Sequence, residues 1–201
     1  MRGAVGAVRM FFIYGYWNFI NRIVFIKGRC MVGKSIRTRG RIRMINRGVI
    51  QIGDCVTINS SIISDPIGGA PCSIFVACSG AKIIVGDNTG LSNCAIFARE
   101  DIRIGKNVLI GAGVKIYDND FHPVNYSARM ENNEPVSRPV LIKDGAFIGG
   151  HTIILKGVTI GEKSVIGAGS VVTKTVPDGE IWAGNPARFV RKVKDHENLS
   201  N

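Results

Sequence analysis

From residue 142 to residue 172 an aliphatic side chain returns at every sixth position: Ile142, Ile148, Ile154, Ile160, Ile166 and Val172. Four positions after each stands a small or β-branched residue: Ala146, Thr152, Val158, Ser164, Ser170 and Val176. The same beat runs earlier through Ile104, Ile110 and Ile116, with Val108 and Val114 in the second slot. It runs through Val85 and Leu91 (with Thr89 and Ala95), through Ile52 and Ile58 (with Val56 and Ile62), and more faintly from Val32. Glycine follows the aliphatic at 33, 53, 86, 105, 111, 149, 161 and 167. Six residues are too few for a pair of helix turns. The aliphatic and its +4 companion are an even number apart, so both face one side of an extended chain. The pattern predicts short strands joined by Gly, Asn or Asp turns, in coils that stack at about 4.8 Å with hydrogen bonds between coils. It covers about residues 30–176 and breaks at 64–82 and 117–139, which are predicted to be loops.

Composition adds one domain with appendages: residues 1–28 as an N-terminal helical segment, 29–177 as the repeat, 178–201 as a tail. The 25 glycines read as positions that need φ > 0 rather than as disorder. The net charge of +11 is uneven. Residues 1–47 hold 11 Lys or Arg and no acidic residue, while the remaining 15 basic and 15 acidic residues cancel. Such a block suits an anionic contact: lipid headgroups, nucleic acid or an acidic polymer. Nucleic acid is disfavoured, because the arginines of 37–47 alternate with apolar residues as on a sheet and no nucleic-acid motif is present. The apolar run 10–26 is interrupted by Asn18, Asn21 and Arg22, short of the ~20 clean residues of a membrane span. It reads either as a helix lying in a membrane interface or as a cap on the domain or a partner subunit. No small-residue cleavage site follows it. Five cysteines without metal-finger spacing fit a reduced, cytoplasmic protein, peripheral at the inner membrane face if the basic block binds lipid.

The repeat, and above all AFIGGHTIILKGVTIGEKSVIGAGSVVTKTVPDGEIWAGNPARFVRKV (146–193), resembles the hexapeptide-repeat acyltransferases, in particular maltose- and galactoside-type and polysaccharide O-acetyltransferases. The resemblance implies an all-β fold, a left-handed parallel β-helix of triangular section with a protruding loop. It implies acetyl-CoA as co-substrate, no metal, a saccharide acceptor, and a homotrimer whose acyl sites are shared between subunits.

Within that resemblance His122-Pro123 matches the histidine that opens the protruding loop. Six residues after Ile116, His122 stands where the next inward aliphatic is due. Histidine is the side chain best suited to exchange a proton near neutral pH, here from an acceptor hydroxyl. Asn93 matches a polar active-site asparagine and is expected to point out of the prism, toward acceptor or oxyanion. A turn asparagine is the alternative. Asp118 and Asp120, with Glu131 and Glu134, flank the histidine and could orient it or bind sugar hydroxyls, or simply be loop polarity. The resemblance places Phe147, Gly150, Ala168, Thr173 and Lys174 along the acetyl-CoA groove. It puts Arg188 and Arg191 at the 3′-phosphate and the Gly150 N–H on the thioester oxygen. Galactoside-type relatives carry acidic residues shortly after the asparagine, where this chain has Ala98 and Arg99, so the acceptor is contacted differently or is a different sugar. Three readings remain beside sugar O-acetylation: N-acetylation of an amino sugar, acetylation of a xenobiotic alcohol, and a non-enzymatic scaffold. A β-helical carbonic anhydrase is excluded, since its zinc needs three converging histidines and His122, His151 and His196 lack the close-spaced pair.

Overall fold

A computed structural model describes residues 2–61 and 72–194, with side chains from residue 13 onward. Ile62, residues 64–71 of the first repeat break and His196 lie outside the described residues; in the rest of that break, expected to be a loop, Ser73–Ala77 forms a strand. Helix α1 (Arg2–Lys27) precedes six coils of three short strands each. Coil one holds β1 (Met31–Val32), β2 (Arg37–Gly40) and β3 (Ile42–Asn46). Coil two holds β4 (Val49–Ile52), β5 (Thr57–Ser60) and β6 (Ser73–Ala77). Coil three holds β7 (Lys82–Val85), β8 (Gly90–Ser92) and β9 (Ala95–Ala98). Coil four holds β10 (Asp101–Ile104), β11 (Leu109–Ile110) and β12 (Lys115–Tyr117). Coil five holds β13 (Val140–Ile142), β14 (Phe147–Ile148) and β15 (Ile153–Ile154). Coil six holds β16 (Thr159–Ile160), β17 (Val165–Ile166) and β18 (Val171–Val172). Every third strand stacks in parallel on the one three before it, which makes three parallel sheets. We call them faces A, B and C in chain order.

The six-residue register is the register of the pairing: Ile142 sits opposite Ile104 and Ile160, and Ile116 opposite Ile96 and Ile154. The six aliphatics from Ile142 to Val172 are fully buried, and so are their companions from Ala146 to Val176. Full burial of one such aliphatic contributes about 1.5–3 kcal/mol. One expected slot is displaced: Ala95 is half-buried, whereas Cys94 and Ile96 are buried. The turn through Ser92-Asn93 is one residue shorter than its counterpart at 111–113, so the inward position comes a residue early.

The glycines that follow the aliphatics also differ from expectation. Positive φ is found at Gly40, Gly113, Gly145, Gly157 and Gly169 among others, but at none of the eight post-aliphatic glycines. These are required by close stacking: a Cβ on Gly33, Gly53 or Gly105 would collide with the carboxylate of Asp54, Asp87 or Asp144 in the next coil. At this A–B edge the left-handed position comes two residues later. It is taken by Ser35 (φ 57°), Cys55 (57°), Asn88 (58°), Asn107 (54°), Gly145 (68°), Lys163 (54°) and Gly179 (66°).

The open end of a β-helix leaves backbone groups unpaired, and α1 covers them. Asn21 donates to the Gly40 carbonyl at 2.7 Å and accepts from the Ile42 N–H at 3.1 Å. Asn18 accepts from the Thr38 N–H at 2.6 Å. Phe25 is buried in the core. The asparagines that interrupt the apolar run are therefore the contacts by which α1 caps the prism. The tail forms β19 (Glu180–Ala183), parallel to β17, and β20 (Arg188–Lys192), antiparallel to β19, so face B extends past the last coil.

Candidate active site

The protruding loop leaves the prism after Tyr117, which is still in strand β12, and returns at Val140. Its root is a short antiparallel stem: Asn119 bridges Ser137, the Asp120 N–H donates to Val136 O (3.2 Å), and the Arg138 N–H donates to Asp118 O (2.8 Å). The loop carries a helix, α2 (Tyr126–Met130), whose N-cap Asn125 accepts from the Ala128 N–H at 3.1 Å. Sequence periodicity missed α2, although an asparagine cap was a legible start signal. Ion pairs Arg99–Glu134 and Lys156–Asp120 tie the loop to neighbouring coils.

His122 is exposed on this loop, clear of the prism, and does not occupy the inward slot that its spacing from Ile116 suggested. The chain bends outward beforehand, at Phe121, whose φ is 61°. The Phe121 ring packs on Phe97 and Tyr117 at centroid distances of 4.9 and 5.0 Å. Burial raises the Tyr117 phenol pKa. Among the described residues the His122 imidazole has no hydrogen-bond partner, and its N–H backbone group donates to Asp120 O at 2.6 Å. The ring is presented by a hydrogen-bonded root and is open to solvent.

Asp118 has another task. It is fully buried, and its carboxylate accepts the N–H of Arg99 (2.8 Å) and of Glu100 (2.7 Å) and the Asn119 amide (3.1 Å). That carboxylate is occupied in fixing the loop root to coil three, with no capacity facing solvent. Asp120 is half-buried against Lys156. Glu131 and Glu134 are exposed.

Asn93 differs from expectation too. Its side chain is fully buried rather than turned outward, and its φ is 38°. It stands at the edge between faces B and C, its N–H donating to Asn59 O (2.8 Å) and its carbonyl accepting from Gly113 (3.2 Å). Further along the same edge come Gly150 and Ala168. The Gly169 N–H donates to Gly150 O at 2.8 Å, while the Gly150 N–H has no acceptor among the described residues. Exposed Phe147 precedes Gly150 on face B, and a groove of about 420 Å³ runs there past Leu109, Gly111, Asn59 and Ser92. Arg188 and Arg191 lie on exposed β20 at the edge of the same sheet. Thr173 and Lys174, both exposed, follow β18 at the opposite edge of face C, the edge from which the His122 loop also departs. One chain thus gathers Asn93, Phe147, Gly150 and Ala168 along one edge and roots the His122 loop, with Thr173 and Lys174, at another.

Residues 28–35, GRCMVGKS, fit the phosphate-loop spacing GxxxxGK[ST], but that cradle requires strand, loop, then helix. Here the run joins a helix to strands, and the Lys34 N–H is taken by Asp54 at 2.6 Å. The cysteines are free thiols, and burial pushes Cys94 up to about 12 and Cys30 to about 11. Among the described residues no group of three or more His, Cys, Asp or Glu could hold a metal ion.

Residues 139–174 match the bacterial transferase hexapeptide family (six repeats), and 101–116 match the hexapeptide repeat of succinyl-transferase. A maltose O-acetyltransferase from Clostridium difficile 630 is 30% identical with a TM-score of 0.57, over 82% of this chain and 70% of that one. The chain belongs to the hexapeptide-repeat acetyltransferase family. Its β-helix is of the left-handed type. Galactoside O-acetyltransferase of Escherichia coli (strain K12) is 40% identical over 119 residues, 59% of this chain. The chain spans 58% of that relative's length. A hexapeptide-repeat containing acetyltransferase of Vibrio cholerae, solved as a complex with acetyl coenzyme A, is 38% identical with a TM-score of 0.53. That match covers 56% of this chain and 61% of the other.

Proposed function

We propose that this chain transfers acetyl from acetyl-CoA to a saccharide hydroxyl, with His122 as general base. The observation that carries the reading is the exposed, unpartnered imidazole on an anchored loop, in a chain of this family. The acceptor oxygen attacks the thioester carbonyl while His122 takes its proton. The C–S bond then breaks and the proton passes to the leaving CoA thiolate. The products are an acetyl ester and CoA. The Gly150 N–H, lacking an acceptor among the described residues, would hold the developing oxyanion. Asn93, buried at the same edge, would keep that corner in shape. Phe147 and Ala168 would flank the pantetheine arm, with Thr173 and Lys174 lining the groove from a neighbouring chain. Arg188 and Arg191 would meet the 3′-phosphate. Asp118 and Asp120 would serve the acceptor by holding the loop. A homotrimer fits this reading because the two halves of the site lie at different edges of one prism. The saccharide assignment leans on the galactoside and maltose relatives. A surface-polysaccharide precursor at the inner face of a membrane is the acceptor we favour, given the basic N-terminal block. N-acetylation of an amino sugar is the second reading: an N-acyltransferase from Bacillus cereus, solved with dTDP and coenzyme A, is 25% identical over 84% of this chain.

The test is thermal stabilisation by acetyl-CoA with dephospho-CoA as control. A ligand at 100 times its Kd that binds only the folded state adds about 2.7 kcal/mol. Stabilisation by acetyl-CoA that falls with dephospho-CoA, and falls equally in Arg188→Ala/Arg191→Ala, is expected. No stabilisation at millimolar ligand removes the reading.

A further inference from the structure

Helix α1 is apolar on two opposite sides. One side, with Phe25 and Asn21, closes the prism. The other presents Tyr16 (58% exposed), Phe19 (64%), Ile23 (36%) and Ile26 (69%). Their spacing of three, four and three residues aligns them as one stripe along the helix. Beside it an open groove of about 640 Å³ runs between α1 and the outer side of β3, past Ile20, Val24, Arg41, Arg43 and exposed Ile45. On the other flank a groove of about 500 Å³ lies between Arg22 and Lys34. Exposed Lys27 and Arg29 close the helix end. An apolar stripe of this length on a soluble surface marks a docking site.

We propose that this end of the molecule docks on an anionic lipid surface. The Tyr16–Phe19–Ile23–Ile26 stripe would enter the headgroup boundary, and Arg22, Lys27, Lys34, Arg41 and Arg43 would meet lipid phosphates. Charge selects this occupant. No acidic residue stands anywhere in 1–47, so a second copy would set one cationic ring against another. A purely polyanionic partner such as nucleic acid leaves the phenylalanine and isoleucines without a role, whereas an interface helix uses both features. Among the described residues no helix is long and apolar enough to cross a membrane, and in this proposal α1 lies along the lipid surface. The geometry also bears on catalysis. The His122 loop leaves at the end of coil four, three coil spacings or about 14 Å above the capped coil, within reach of a saccharide on a lipid carrier. The docking itself does not depend on the acetyltransferase reading.

The experiment is flotation of the full chain with vesicles of phosphatidylcholine alone and of phosphatidylcholine with phosphatidylglycerol. Three proteins are compared: wild type, Phe19→Ser/Ile23→Ser and Arg41→Gln/Arg43→Gln. The substituted side chains are exposed, and circular dichroism checks that each variant folds. Wild type should float with the anionic vesicles only and lose binding as salt rises. Each basic side chain contributes roughly fivefold to partition, so the double Arg variant should bind at least tenfold more weakly. The apolar variant should fall by a similar factor. Acetylation of a soluble saccharide should be unchanged in both variants, which separates failure of docking from failure of the catalytic reading. Absence of wild-type binding at low salt overturns the proposal. So does binding that only the Arg variant weakens, the mark of a general polyanion contact. Self-association abolished by Phe19→Ser/Ile23→Ser, without vesicle binding, assigns the stripe to a second copy instead.

Discussion

His122 and Asp118 sit four residues apart and answer to different physics. The imidazole is exposed and makes no contact that holds the fold, so His122→Ala should melt like wild type and bind CoA normally. General base catalysis is worth about 10²–10⁴-fold, so its turnover should drop at least a hundredfold. Near-normal turnover in that variant would falsify the role. Asp118→Ala is expected to do the reverse in the first instance. It strands the N–H groups of Arg99 and Glu100 and should cost about 2–4 kcal/mol in a denaturant melt. The sequence made His122 conspicuous because a histidine interrupts an aliphatic beat. Asp118 was not legible, because its partners belong to a different coil and an acid in a polar loop looks like any other. The buried pose of Asn93 was hidden for a related reason: a one-residue deletion in a turn leaves no mark on a hexad count until the strands are paired.

The edge between faces A and B is an element whose pattern was visible and whose cause was not. Glycine after the aliphatic suggested backbone freedom, yet the structure uses those glycines to let an aspartate of the next coil approach. Gly105→Ala should press a methyl group on Asp144 and cost about 1–3 kcal/mol, the usual cost of overpacking. The neighbouring Asn107, already left-handed at φ 54°, should accept glycine with little loss. The same edge makes stability depend on pH. The Lys106 ammonium, hydrogen-bonded to Asp87, holds that carboxyl below its usual range, aided by the Asp54 N–H. Lys143 and then the Glu162 N–H do so for Asp178. A carboxylate with a depressed folded pKa contributes stability above its unfolded pKa and loses it as pH falls through the folded value. Both side chains are exposed, so the effect is screened by salt. Melting temperature should therefore fall below the ordinary carboxylate range, and Asp87→Asn/Asp178→Asn should flatten that fall. An unchanged acid limb in the double variant removes the ladder as its cause.

At the scale of the molecule, the hexad beat made most of the prism legible, because period alone dictates its inward side chains, but it hid the strand Ser73–Ala77 inside a break read as a loop and the inward shift to Cys94. The two ends were harder. Capping by α1 depends on Asn18 and Asn21 meeting strands twenty residues away, and the β19–β20 extension follows no hexad at all. Nor does the period say where a site closes. Asn93 and Gly150 lie along the edge between B and C, and the loop of His122 starts from the far edge of C. A site built from all of them therefore calls for two chains side by side, the arrangement of a closed symmetric oligomer. Mixing tests this directly. His122→Ala and Asn93→Ala chains, each shown to fold and each impaired alone, are co-expressed and the mixed assembly is purified through two different tags. If one chain supplies the base and its neighbour the asparagine edge, about one of the three interfaces in each mixed trimer holds both intact residues. Activity should then return toward about a third of wild type. A verified mixed assembly that stays inactive would mean that both residues serve the same chain's site, with the loop folding back over face C from its Phe97–Phe121 contact.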